Sequence, residues 1–367
     1  MKTAIAVLVL VLIAVLAGPT MWRAVQMANQ SSEPEAAYHT IGETTVVASG
    51  LEIPWAIASL PDGSMLITER PGRIRYYDAA EGLREEPLLT LPHVEHRGEG
   101  GLLGIAVHPS FDTFPYVYVY YTYVRSNALV NRVSRFSMRG LHLAEEEVIL
   151  DDIPAASIHN GGRIKFGPDG LLYVSTGDAA HPELSQSPHS LAGKILRITG
   201  DGGIPDDNPF PGSPVYSLGH RNPQGLAWDD AGQLWATEHG AQATDELNLI
   251  RPGLNYGWPV ITGDQTMTGM ETAVVQSGRS TWAPSGLAYL DGRLYFAGLR
   301  GQSLYTVDLS ADITLTRHLQ GEFGRLREVV VGHDGSLYLL TSNRDGRGSP
   351  VPEDDRLIMV LVDSNGD

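Results

Sequence analysis

No cysteine occurs anywhere in the 367-residue chain, which excludes disulfides, thiolate metal ligands and a cysteine nucleophile. Basic residues are scarce as well: 26 Lys and Arg stand against 43 Asp and Glu, a net charge of −17. Nucleic-acid binding needs a basic footprint, so that class is set aside; in so acidic a chain any cluster of arginines stands out. Missing too, beyond the first residues, is an amphipathic helical pattern of three turns. The chain has a single long apolar run, Ala4 to Gly18, behind Met1-Lys2-Thr3. It is short for a membrane span and follows a positive start, the pattern of an export signal. An uncleaved anchor that includes Trp22 is the alternative, and membrane contact is expected at most through this segment. Residues 1–26 are thus read as signal or anchor, 27–37 as a polar linker, 38–363 as the main domain and 364–367 as a tail. The expected location is periplasmic or secreted.

Glycine and proline, at 41 and 23 residues, are plentiful, as in turn-rich all-β folds. One unit recurs six times: an apolar strand, a turn bearing Asp and Gly, and a second apolar strand. Its turns are Pro61-Asp62-Gly63, His108-Pro109-Ser110-Phe111-Asp112, Pro168-Asp169-Gly170, Asp229-Asp230-Ala231-Gly232, Leu290-Asp291-Gly292 and His333-Asp334-Gly335. A spacing of roughly 40–60 residues is that of four-stranded propeller blades. The fold expected is an all-β, six-bladed propeller of four-stranded antiparallel blades. The last strand, near Arg356 to Val362, should pair beside the first, near Thr44 to Val47, and close the ring. A closed ring leaves few edges to cover, so a monomer is expected.

Polar segments lie where inner strands begin. They are Arg97 to Gly104 with Glu99, Ser157 to Arg163 with His159, Gly219 to Gly225, Gly298 to Gly301, and Phe323 to Glu328. A histidine at a strand start is commonly just half-buried. Arginines at matched blade positions are harder to dismiss. Arg325 and Arg327 are two apart and share one strand face; with Arg221 and Arg300 they would form a cationic bowl. Guanidinium forks suit carboxylates, so a planar, carboxylate-rich anion is implied. In the fourth unit, Glu238 to Asn248 and Asn255 to Pro259 offer carboxylates and loop carbonyls. Such hard oxygen donors suit Ca²⁺ better than Zn²⁺, although a solvated acidic loop has the same composition.

His159-Asn160-Gly161-Gly162-Arg163, Gly219-His220-Arg221-Asn222-Pro223-Gln224-Gly225, Gly100-Gly101-Leu102-Leu103-Gly104 and Glu238-His239-Gly240 with Asp245-Glu246-Leu247-Asn248 together resemble the PQQ-dependent soluble aldose sugar dehydrogenases. These are relatives of soluble quinoprotein glucose dehydrogenase. The likeness runs in order from about Ile53 to Leu361. It implies pyrroloquinoline quinone (PQQ) on the propeller axis, Ca²⁺ beside it, an aldose substrate and an external electron acceptor. His159 matches the general base and Asp178 the carboxylate that orients it. Arg221 and Asn222 match residues at the quinone oxygens, and Arg300, Arg325 and Arg327 match basic residues at the cofactor carboxylates. Gly240 and Ala241 would give carbonyls to the cofactor Ca²⁺, while Glu246 and Tyr256 match a second, structural Ca²⁺ site. Glu99 stands where the glucose enzyme carries Gln, near the sugar and the catalytic His. Short connections between blades imply an open mouth and broad aldose acceptance. Apart from that resemblance, a Ca²⁺-dependent lactonase-type hydrolase and a non-catalytic binding propeller stay open.

Overall fold

The computed structural model of the chain describes residues 39–310 and 313–364. The expected signal or anchor (1–26), the linker (27–37) and residues 365–367 lie outside the described residues. Among the described residues nearly everything ordered is strand, with one short 3₁₀ helix, Pro182–Gln186, and no α-helix.

Six antiparallel sheets follow one another along the chain, and the six expected hairpins are the two innermost strands of each. The inner strands are Pro54–Ser59, Leu102–Val107, Ile164–Phe166, Pro223–Trp228, Pro284–Leu290 and Leu326–Val331. Blades 2 to 6 have four strands, while in blade 1 two short strands, Gly82–Leu83 and Leu89–Thr90, share the outer position. Ring closure is as expected: the sixth sheet runs Leu326–Val331, Leu337–Thr341, Leu357–Ser364, His39–Ala48, so the first strand completes the last blade.

The recurring turn has a physical reason. Asp169 Oδ1 accepts the Leu171 N–H at 3.1 Å, and its Oδ2 accepts the Tyr173 hydroxyl at 3.0 Å. Asp229 does the same for the Gln233 N–H and Trp235 Nε1, and Asp334 for the Ser336 N–H and the Tyr338 hydroxyl. Each carboxylate thus satisfies the turn and pins an aromatic of the second strand.

Second strands such as Met65–Glu69, Leu172–Thr176 and Leu234–Glu238 are buried at every position, because blades cover both faces. Their hydroxyls staple neighbouring blades. Thr68 Oγ1 donates to Leu103 O (2.6 Å), Ser175 Oγ to Pro223 O (2.8 Å) and Thr237 Oγ1 to Ser285 O (2.7 Å). Glycine allows this approach: a Cβ on Gly225 would sit 2.4 Å from both Ser285 O and Thr237 Oγ1. Because each hairpin is antiparallel, the start of every inner strand and the end of its partner share one face of the ring. All the candidate segments therefore gather on that face.

Gly225→Ala should be destabilising by about 2 kcal/mol or more, as overpacking a tight core does. The expected reading is a fall in Tm of at least about 4 °C; an unchanged melting curve would show that the blades are not in the close contact described.

Candidate active site

His159 precedes the inner strand of blade 3 with φ at 58°, in the left-handed region. The glycines after it let the loop lie against its own blade: a Cβ on Gly161 would be 2.7 Å from Ser175 O and Gly177 N. Asp178, fully buried, leaves the end of the neighbouring strand and faces the imidazole, with Oδ1 2.8 Å from His159 Nδ1. The Ala180 N–H (2.8 Å) and Trp258 Nε1 (2.9 Å) also donate to this carboxylate and fix it. A carboxylate accepts, so Nδ1 carries the proton toward Asp178 and Nε2 is left as an acceptor. The ring keeps 14 % of its side-chain surface exposed.

Glu99 holds the same residue from the other side, accepting the His159 N–H on Oε2 at 2.9 Å. Its Oε1 accepts from Arg347 Nη1 at 2.7 Å. Burial alone would raise this carboxyl, but the His159 N–H and the Arg347 guanidinium outweigh it and hold the group at about 2.

Arg221 lies beside the pair, its guanidinium 5.4 Å from the centre of the Trp258 ring and donating to His239 O at 3.3 Å. Its Nε is buried without a partner. Burial lowers its pKa against the pull of Asp178, Glu238 and Glu99. Asn222 Oδ1 accepts the Gly161 N–H at 2.9 Å, so this side chain shapes the His159 loop. Closer to the axis, Arg327 Nη1 donates to Gln224 Oε1 (2.7 Å) and Ser285 Oγ (3.2 Å), while Nε has no partner. Burial, with Arg70 and Arg325 as like-charged neighbours, pulls Arg327 down to about 9 despite Asp345. Arg325 is paired with Asp345 (2.8 Å) and donates to Leu299 O (3.4 Å). Arg221, Arg325 and Arg327 thus converge on the mouth, whereas Arg300, next to Leu299 in the chain, is exposed.

The metal candidates lie in blade 4. Gly240 donates its N–H to Asp245 Oδ1 (2.9 Å), which ties down the loop bearing the Gly240 carbonyl; Ala241 is exposed. Glu246 stands directly across the strand pair from Glu238, and burial together with that second carboxylate raises it to about 7. Asn248 Oδ1 is buried without a partner. The Tyr256 hydroxyl is taken, donating to Leu249 O (2.6 Å) and accepting the Arg251 N–H (2.8 Å). Only its backbone carbonyl could face a cation.

Three residues escaped the sequence reading. Trp258 comes from the irregular stretch between Ile250 and Val275, and nothing in its spacing signals a partner in blade 3. Arg347 lies in a loop after Thr341. Arg70, whose guanidinium donates to Gly98 O and Gly100 O, follows the second strand of blade 1 as Asp178 follows that of blade 3. Blade equivalence could have found it.

The sequence pattern of the family described as glucose/sorbosone dehydrogenase matches residues 51–358. The chain belongs to this family. It is similar to the aldose sugar dehydrogenase YliI of Escherichia coli, at 32% identity covering 82% of this chain and 90% of that one. It is also similar to quinoprotein glucose dehydrogenase B of Acinetobacter calcoaceticus, at 33% identity over 61% of this chain and 54% of that one. Among solved structures, the PQQ-bound aldose sugar dehydrogenase of Streptomyces coelicolor superposes with a TM-score of 0.84 at 43% identity, covering 89% of this chain and 99% of that one.

In this member of the family, the Arg347 guanidinium shares with the His159 N–H the work of keeping Glu99 ionised. Arg347→Ala should raise the Glu99 carboxyl by about one unit or more, since a paired cation accounts for shifts of that size. Carboxyl-carbon NMR titration would read it, and an unmoved midpoint would show that the His159 N–H alone sets the charge.

Proposed function

We propose that this chain is an exported, PQQ- and Ca²⁺-dependent aldose dehydrogenase that oxidises the sugar C1 hydroxyl to the lactone and passes the electrons to an external acceptor. The observation that carries the reading is the His159–Asp178 pair, with Nε2 left free to accept a proton. Family membership favours it over a lactonase-type hydrolase or a binding propeller.

The donor set fits the quinone. PQQ is a planar tricarboxylate, and Arg221 Nε, Arg327 Nε and His239 Nε2 are buried here without partners. Arg221 and Asn222 would hold its quinone oxygens, and Arg300, Arg325 and Arg327 its carboxylates. When bound, the quinone supplies the two-electron acceptor for the C1 hydrogen. The protein's part is the proton: His159 Nε2 takes it from the C1 hydroxyl, and Asp178 offsets the charge the ring gains. Glu99 and Asn222 hold the His159 loop from two sides, and Glu99 lies where it could also meet the sugar. Arg221 supplies positive charge where negative charge would grow.

A hard cation fits blade 4 as well. Glu246 and the unpartnered Asn248 Oδ1 are hard oxygen donors that a divalent ion would use, while the opposed Glu238, engaged by His220 and the Arg221 N–H, would add negative charge beside it. Gly240 and Ala241 would give carbonyls to the ion beside the quinone, and Glu246 with the Tyr256 carbonyl would serve the second.

After reconstitution with PQQ and Ca²⁺, dye reduction with a panel of aldoses should fall about 10²–10⁴-fold in His159→Ala, the usual worth of a general base. Quinone absorbance should be retained in the variant; equal turnover in both proteins would rule out His159 as the base. Separately, Ca²⁺ should raise the Tm of the quinone-free protein, and Glu246→Gln should reduce that gain. A Tm indifferent to Ca²⁺ in the wild type would count against the structural ion.

A further inference from the structure

Three lysines occur in the chain: Lys2, Lys165 and Lys194. The two described ones are both inside the propeller, and they differ sharply. Lys194 Nζ donates to three carbonyls, Leu184 O (2.9 Å), Ser185 O (3.0 Å) and Ala192 O (2.6 Å), so its ammonium is satisfied. Lys165 Nζ has one long contact, to Leu226 O at 3.4 Å. Burial, with Arg163 adding to it and Glu328 opposing, pulls Lys165 down to about 8.

Lys165 lines a pocket of about 360 Å³ on the ring axis, at the end opposite the candidate active site. All six inner strands contribute to its wall, through residues that include Ile57, Ile105, Leu226, Leu287 and Val329. The strand ends at Ser59, Val107, Phe166, Tyr289 and Val331 are half-buried, whereas Ala58, Ala106, Ile164, Ala288 and Val329 one or two steps deeper are buried. The pocket therefore opens at the face of the Asp-Gly turns and is blind at depth. Its floor is a polar layer: Trp55 lies 4.3 Å from the Arg163 guanidinium and 5.7 Å from that of Arg327, and Arg163 is ion-paired with Glu328.

Arg163, just before the inner strand of blade 3, and Lys165 on it both line the pocket. Arg163, with 7 % of its side chain exposed, uses Nη1 for Glu328 and Nε for Gln224 O, and its Nη2 has no partner. Glu328 is spent on Arg163 and on the Val329 N–H. One positive charge remains unbalanced among apolar walls.

We propose that this axial pocket is a second binding site, separate from the active site, for a small organic carboxylate. Lys165 Nζ and Arg163 Nη2 hold the carboxylate, and the apolar walls hold a short hydrocarbon or aromatic body. Charge-assisted contacts in an apolar setting favour such an anion over a neutral analogue of the same shape.

Benzoate is the probe, with benzyl alcohol as its neutral counterpart, followed by saturation-transfer NMR and calorimetry on the full chain. Benzoate should bind saturably and benzyl alcohol at least about tenfold more weakly, the smallest gap a lost charge-assisted bond leaves. Lys165→Met should weaken benzoate by a similar factor with the Tm and sugar oxidation retained. Ala106→Met fills the pocket from another blade without touching the cations and should also abolish binding. No saturable benzoate binding, equal binding of the alcohol, or undiminished binding in both variants would overturn the proposal.

Discussion

Six strands can meet around one axis only if the space at that axis is filled without excess bulk or unmatched charge. Here the filling is the layer of Trp55, Arg163, Arg327, Gln224 and Glu328. Arg163 reaches the blade 6 carboxylate of Glu328 and the blade 4 carbonyl of Gln224, tying three blades together across the centre. Removing one partner of such a buried pair would strand the other charge, at a cost of about 3–5 kcal/mol. Stacking on Trp55 adds cation–π attraction on the blade 1 side. The same layer divides the axis into two compartments, one reached from the mouth and one from the turn face.

An acidic protein with a cationic mouth is the second consequence. Arg70, Arg221, Arg325 and Arg327 are each half-buried or buried, and burial weighs against their charge in Arg70, Arg221 and Arg327. Protein carboxylates answer only part of that cost. Asp345 pairs with Arg325, yet Arg221 Nε and Arg327 Nε go unpartnered. Buried donors left open in this way are expensive in an isolated chain and make sense if an anionic ligand completes them.

The fold was legible in the sequence because its repeat is local. Each Asp-Gly turn closes a hairpin within a few residues, and the carboxylate that shapes the turn also binds an aromatic four to six residues on, as Asp169 does for Tyr173 and Asp229 for Trp235. The candidate site was legible in part. His159 and Asp178 belong to one hairpin, and their 19-residue separation is bridged by that local structure. Trp258 of blade 4, 80 residues from Asp178, meets it across the boundary between two blades, and Arg347, 248 residues from Glu99, meets its partner only through ring closure. The sequence likewise offered no sign that Glu328 would answer Arg163 across 165 residues. For Tyr256, the family resemblance pointed to a calcium site, and the geometry commits the hydroxyl to Leu249 O and the Arg251 N–H.

The central claim is that the open guanidinium donors at the mouth exist to hold a planar tricarboxylate. Equilibrium dialysis of PQQ against the purified chain and its Arg327→Gln variant tests it most directly, before any question of turnover. The account expects one quinone per wild-type chain and binding at least about tenfold weaker in the variant, since a charge-assisted contact is lost. Absence of quinone binding to the wild type, or equal binding by the two proteins, would contradict it.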